Sequence, residues 1–264
     1  MEIIGYIASV CIGLILGLLG GGGSILSIPI LVYFFQIDAV LASAYSLFIV
    51  GITSFVGAIP KYKEHLVNIR TGISFGLPSI VSIFCTRRWV VPAIPEIVFQ
   101  LGSFALTKRI LVLGLFALLM ILASFSMIKQ RKELISEHQG FRTFLVVVEG
   151  TLIGFLTGMV GAGGGFLIIP ALVFLTGLPF KTAVGTSLFI IAINSLMGFL
   201  GDIFNYSMDW TFLVTITTLA VIGILIGNKL QKKISAIKLR QGFGWLILLM
   251  GSWILLKEII LLKK

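Results

Sequence analysis

The stretch Gly17-Leu18-Leu19-Gly20-Gly21-Gly22-Gly23-Ser24 sits in an apolar run closed by Pro29. It returns as Gly158-Met159-Val160-Gly161-Ala162-Gly163-Gly164-Gly165, closed by Pro170. Sliding one copy onto the other at an offset of about 141 residues aligns 17–59 with 158–200 without a gap, and about 17 of roughly 43 positions are identical. The chain is a duplication with a glycine stretch at the centre of each copy. Glycine loses the most backbone entropy in a helix, so several in succession predict a break. Each copy is therefore expected to hold two short helical pieces joined by an unwound hinge.

The surrounding composition places these breaks in a membrane. The 264 residues are 58% hydrophobic and only 11% charged, with a mean hydropathy of +1.13. Several apolar runs reach or approach the ~20 residues that cross a bilayer as a helix. The net charge of +10 falls mostly in short connections, where it reads as cytoplasm-facing topological charge and not as a nucleic-acid surface. The first run begins with Glu2 and lacks a basic leader, so it is read as a permanent segment. Cys11 and Cys85 are isolated in apolar runs, and His65 and His138 lie in polar connections; this pattern calls for no metal or other cofactor.

In chain order, the first broken element is followed by spans predicted over about 39–59, 66–86 and 110–128, with an interfacial segment over 87–109. The polar stretch 129–142 divides a first membrane repeat, 1–128, from a second, 143–264. The second repeat has a broken element over about 143–176 and spans over about 181–200, 210–228 and 241–262. The fold class read from this is an all-α integral membrane protein of two inverted-topology repeats, each a glycine-broken element followed by about three transmembrane helices. Aligned connections carry opposite charge, Lys61 and Lys63 in one copy against Asp202 and Asp209 in the other. That opposition predicts the inversion. With the central linker inside, both termini fall outside, and Arg87, Arg88, Lys108 and Arg109 fit the charge rule poorly.

Unwound backbone in a bilayer is tolerated only where protein or a water-filled cavity covers it, and inverted repeats with interrupted helices are how secondary transporters build a midplane site. The restarting half-helices present N–H groups and a positive dipole end to the hinge, which suits an anion. The candidate substrate-binding residues are Gly20, Gly21, Gly22, Gly23 and Ser24 in the first copy, with Gly161, Ala162, Gly163, Gly164 and Gly165 in the second. Ser46, Ser187 and Asn194 on the following spans are expected to complete the shell, with the aligned pairs Tyr45/Thr186, Thr53/Asn194 and Ser54/Ser195 nearby. Gly17 and Gly158 fit either that role or close helix packing. Glu149 is the one candidate proton carrier, against a plain interfacial role. A Walker-type G-x-x-x-x-G-K-[ST] loop and clustered catalytic groups are both absent, which argues against an ATPase or an enzyme.

The paired glycine motifs with Ser46-Leu47-Phe48 and Ser187-Leu188-Phe189 downstream resemble the TauE/SafE sulfite exporter family over nearly the whole chain. The resemblance implies a multi-pass permease of the cell membrane for a small anion, a sulfur oxyanion or an organosulfonate such as sulfite or sulfoacetate. One departure stands out: Ser24 occupies the position of Gly165. The alternatives are an anion channel and a membrane assembly factor that transports nothing.

Overall fold

Both glycine stretches break a helix in the computed structural model, which describes residues 2–21, 23–101, 104–128, 139–161 and 163–262. Helix α1 (Glu2–Leu19) stops where Gly20 turns to φ +73°, and α2 (Gly23–Tyr33) restarts beyond it. Helix α3 (Ala39–Lys63) is followed by α4 (Ile69–Cys85), which runs through a π turn at Thr86–Val90 into α5 (Val91–Ala93). A short antiparallel hairpin of β1 (Ile97–Leu101) and β2 (Phe104–Thr107) leads to α6 (Lys108–Ile128). The second copy comprises α7 (Gln139–Val160), α8 (Gly165–Leu175), α9 (Phe180–Asp202), α10 (Trp210–Gln231) and α11 (Ala236–Leu262).

Six helices among the described residues are long and apolar enough to span a bilayer: Ala39–Lys63, Ile69–Ala93, Lys108–Phe125, Phe180–Asp202, Trp210–Gln231 and Ala236–Glu258. Leu77, Val81, Leu118, Leu122, Leu249 and Leu256 are exposed on their outer surfaces, as a chain solvated by lipid requires. The protein is a multi-pass membrane protein, helical apart from the hairpin. The interfacial segment expected over 87–109 is corrected: the span continues to Ala93, because the π turn carries the helix past the two arginines. Lys61 and Asp202 likewise lie within helices and not in connections, and both are buried.

Equivalent helix starts are capped in equivalent ways. Asn68 accepts the Thr71 N–H at 3.0 Å, and Asp209, at the same place in the second copy, accepts that of Phe212 at 3.0 Å. The cap residues' own N–H groups are taken by the opposite copy, Asn68 N–H donating to Thr186 Oγ1 and Asp209 N–H to Tyr45 Oη, both at 2.9 Å. Tyr45 and Thr186 thus tie the copies together.

Helix packing follows the same exchange. Helix α1 lies parallel to α10, with Gly13 against the Ala220 backbone and Gly17 against Ile224 and Asn228. Helix α7 lies parallel to α4, with Gly150 on Phe75, Gly154 on Ser79 and Gly158 on Thr86. Small residues let these backbones approach. Gly17 and Gly158 are therefore packing glycines. Helices α3 and α9 run antiparallel, since Leu47 meets Gly198, Gly51 meets Leu196, Gly57 meets Leu188 and Lys61 meets Gly185. Helices α6 and α11 also run antiparallel, with Ile128 at Gly244 and Met120 at Gly251.

These pairings give the bundle two ends, one at Lys61 and one at Asp202. Helix α1 begins at the Asp202 end, where Tyr6 stacks edge-on against Phe35 with centroids 5.4 Å apart, and ends beside Gln231, which donates to the Leu18 carbonyl at 2.9 Å. Since Phe35 follows α2, the broken element goes in and comes back. Helix α7, parallel to α4, starts at the Lys61 end, and α9 starts there too, so α8 also returns.

The α4–α7 seam yields a stability prediction. A Cβ at Gly154 would fall 2.5 Å from the Ser79 carbonyl oxygen, whereas one at Gly76 would meet nothing within 4 Å. Gly154→Leu is expected to destabilise by ~3 kcal/mol and Gly76→Ala to be neutral or to stabilise by up to ~1 kcal/mol. Melting of the purified variants in detergent, monitored side by side, checks the contrast.

Candidate functional site

Each break opens with a glycine in the left-handed region, the usual stop of a helix C-terminus. Gly20 N–H donates to Leu16 O and Gly161 N–H to Thr157 O, both at 2.7 Å, with φ of 73° and 79°. The second break holds two more such residues, Gly163 at φ 65° and Gly164 at 75°. The Gly164 carbonyl then accepts the N–H groups of Leu167 and Ile168, both at 2.9 Å, as α8 begins. The tips of the breaks meet: Gly21 and Gly165 touch backbone to backbone, with room for a Cβ on neither.

The first break is laced by hydroxyls. Ser24 Oγ donates to Gly21 O at 2.7 Å, Ser27 Oγ donates to Ser24 O at 2.8 Å, and Ser27 and Ser46 share a hydroxyl contact at 2.5 Å. From the other copy, Ser187 Oγ donates to Gly20 O at 3.1 Å and to Val184 O at 2.8 Å. Ser46 and Ser187 occupy equivalent positions, yet one binds a side chain and the other the backbone.

The centre of the α3–α9 pair is polar and buried. Thr53, Ser54, Asn194 and Ser195 are wholly inaccessible. Asn194 Nδ2 donates to Ser79 Oγ at 2.6 Å, whereas Thr53 Oγ1, Ser54 Oγ, Ser195 Oγ and Asn194 Oδ1 have no hydrogen-bond partner among the described residues. Buried polar atoms without partners are costly, which makes this part of α3 and α9 a candidate for contact with a polar solute. The second break looks into this cluster, since a Cβ on Gly163 would lie 2.5 Å from Ser195 Oγ. A narrow cavity of about 70 Å³ between α4 and α9, lined by Gly72, Gly76, Phe189 and Ile193, also ends on Asn194.

The structure thus sets Gly165 against Gly21 and Gly163 against Ser195, while Asn194, next to Ser195 on α9, turns to Ser79; Gly20 and Ser187 lie toward the Lys61 end, and Ser46, joined to Ser24 through Ser27, lies toward the Asp202 end. Gly23 is pressed against the Ile12 carbonyl and Leu16 of α1, so it serves the packing of α2 on α1. Gly164 is the αL cap of α8, beside Thr157. Gly22 and Ala162 lie outside the described residues. Glu149 lies on α7 with Oε2 buried and without a hydrogen-bond partner among them, remote from the breaks in sequence.

Sequence reasoning missed the charged groups that flank the cluster. Arg87, wholly buried on the π turn, lies with Nη1 3.3 Å from Asp202 Oδ2 and donates from Nη2 to Ser43 Oγ at 2.9 Å. Its guanidinium fills the space that a side chain on Gly161 would need. At the other end Lys61 Nζ donates to Gln231 Oε1, and Asn228 Nδ2 donates to Gly57 O at 3.2 Å. The repeat offset places Lys61 on Asp202 and Arg87 on Asn228. That coincidence of polar positions was the available signal, but identity scoring hides it because the residue types differ.

Along α9, Asn194 and Asp202 are about 12 Å apart, and along α3 so are Thr53 and Lys61, at the rise of an α-helix. The polar centre therefore lies between buried charge at both ends, the Arg87–Asp202 pair at one and Lys61, held by the neutral Gln231, at the other. Beyond the Asp202 end, a cavity of about 300 Å³ is lined by Tyr6, Phe35, Tyr45, Asp209 and Phe212.

Comparison with known proteins agrees with this architecture. The chain is 28% identical over 251 residues to a "Probable membrane transporter protein" of Xylella fastidiosa (strain 9a5c), covering 92% of this chain and 91% of that protein. It is 28% identical over 267 residues to "Probable membrane transporter protein MJ0441" of Methanocaldococcus jannaschii, covering 94% of each. It is 26% identical over 261 residues to "Probable membrane transporter protein YunE" of Bacillus subtilis (strain 168), covering 86% of this chain and 89% of that protein. No solved structure matches. The profile of the family described as "Sulfite exporter TauE/SafE" matches residues 6–254, and the chain belongs to that family of membrane transporters, not of enzymes.

Proposed function

We propose that the protein is a secondary transporter that carries a small sulfur oxyanion or organosulfonate, of the sulfite and sulfoacetate class, across the cell membrane by alternating access between inverted repeats. The observation that carries this reading is the meeting of two glycine breaks near central helices that hold four buried polar atoms without partners among the described residues. The Thr53, Ser54 and Ser195 hydroxyls with half-helix N–H groups form a neutral donor shell that an oxyanion satisfies, and Asn194 Oδ1 accepts from a water that enters with it. The shell comprises Gly20, Gly21, Gly22, Gly23, Ser24, Ser46, Gly161, Ala162, Gly163, Gly164, Gly165, Ser187 and Asn194, to which Thr53, Ser54 and Ser195 are added. The family description supplies the sulfur chemistry.

Inversion is supported by the antiparallel run of the equivalent helices α3 and α9, together with the parallel pairs α1–α10 and α7–α4 that the repeat offset interchanges. The Lys61 end carries Lys63, Lys181, Lys229, Lys232, Lys233, Lys238 and Arg240, and it is assigned to the cytoplasm. The cations that fit this rule poorly have internal roles: Arg87 is ion-paired, Lys108 is buried, Arg88 Nη1 donates to Asn205 Oδ1 at 3.0 Å, and Arg109 lies 3.6 Å from Glu258.

Two measurements test the reading. With Cys11 and Cys85 replaced by Ser, Phe204→Cys (71% exposed) should react with an impermeant maleimide on intact cells, and Ile237→Cys (62% exposed) only after permeabilisation. The reverse pattern would overturn the orientation. In proteoliposomes, sulfite, sulfoacetate or thiosulfate should move saturably and respond to a proton or sodium gradient. Gly163→Leu, forced out of its positive φ and into Ser195, should lower that flux by about tenfold or more while the protein still inserts. Unsaturable flux would indicate a channel, and no flux of any anion would overturn the transport reading.

A further inference from the structure

A wholly buried arginine in a membrane-spanning helix demands a reason, because taking its charge and that of its partner out of water is rarely repaid by their mutual attraction. Arg87 is poorly repaid. Of its five N–H donors, one meets Ser43 Oγ at 2.9 Å, while Nε and Nη1 have no hydrogen-bond partner among the described residues. Asp202 faces Nη1 at 3.3 Å, and neither of its carboxylate oxygens is hydrogen-bonded there. The pair neutralises charge without using the guanidinium's directional donors.

The unused donors belong to a group lodged at the glycine break. Nη2 occupies the space beside Gly161, four residues before the start of the 11-residue helix α8. The π turn contributes, since it changes the helical register at Arg87, and such bulges recur at functional sites. The other copy lacks this arrangement: Asn228 stands in place of Arg87 and bonds the Gly57 carbonyl, and Lys61 stands in place of Asp202 and bonds Gln231. Among the described residues, only the Asp202 end holds a cation already matched to a carboxylate beside a break.

We infer that Arg87 is the cation that receives the transported anion, and that Asp202 is a resident counter-ion which the anion displaces. This rests on the transport reading above and adds to it a charged residue that the neutral shell lacks. A sulfite or sulfonate group offers several oxygens at a spacing that a guanidinium grips through two N–H groups. The exchange replaces one anion by another on Arg87, and the displaced Asp202 takes up a proton, because a buried carboxylate without its cation is as costly as a buried guanidinium without its anion.

The test measures sulfite binding by thermal stabilisation of purified protein, with uptake in proteoliposomes alongside. Arg87→Gln should weaken half-saturation by about 100-fold, and Arg87→Lys, which keeps the charge but loses the fork, by about tenfold. Asp202→Asn should bind sulfite about tenfold more tightly, because the internal competitor is gone and an unpaired buried cation remains. The double variant R87Q/D202N, in which neither member of the pair is left without its partner, should elute as a monodisperse protein that does not respond to sulfite.

A merely structural ion pair gives the opposite pattern, with Asp202→Asn as damaging as Arg87→Gln and the double variant restored to the native response. That result would overturn the inference while leaving the transport reading in place, as would a native sulfite response in Arg87→Gln. A native chain that is neither stabilised by sulfite or sulfoacetate nor able to move either would overturn both.

Discussion

Backbone that leaves a helix inside a hydrocarbon layer exposes polar groups that lipid cannot satisfy. The rest of this structure answers that constraint. The two breaks turn toward each other, Gly21 against Gly165, and the spans close around them. Where the breaks meet, side chains of the central helices supply polar atoms, and four of these have no partner among the described residues. In the reading we propose, covering the breaks and making a site for a polar solute are thus two results of one arrangement.

Each copy also helps to cover the other's break. Helix α1, which leads into the first, lies on α10, and α7, which leads into the second, lies on α4. Glycine-lined seams bring these backbones together, and the caps of α4 and α10 borrow acceptors from Thr186 and Tyr45 of the opposite copy. Each copy completes the other, so any rocking between access states must carry α1 with α10 and α7 with α4. The antiparallel pair α3–α9 remains as the axis on which both halves bear. In the inverted arrangement we propose, that axis passes through Thr53 and Asn194, the place where the polar atoms gather.

Exchange between the copies fails at the charges. Where one has Lys61 held by Gln231, the other has Asp202 facing Arg87, and Ser24 replaces the equivalent of Gly165. The first break is bound up by hydroxyls, whereas the second sets its positive-φ glycines against three side chains, Gly161 on Arg87, Gly163 on Ser195 and Gly164 on Thr157. A transporter with identical ends would have no built-in difference between them. Here one end offers a lysine held by a neutral amide and the other an arginine held by an acid.

Much of the fold was legible before any coordinates, because its signals are local. Apolar length marked most spans and the repeated glycines marked both breaks, whereas the opposed charges of Lys61 and Asp202, read as lying in connections, are inside helices. Gly163 and Gly165 were named from pattern alone, and the structure sets them against Ser195 and Gly21. The span over 69–93 was cut short, because a helix carrying Arg87 and Arg88 reads as ending at them when nothing shows that Asp202 and Asn205 lie opposite.

What the sequence by itself determined is the duplication, the membrane class and the places where helices must break, since hydropathy and glycine entropy act on neighbouring residues. What only the tertiary structure decided is which polar groups face one another: that Tyr45 and Thr186 cap helices, that Lys61 and Asp202 lie inside the spans, and that Arg87 sits on a glycine break. Those pairings join residues up to about 170 positions apart through packing that no local property of the chain records.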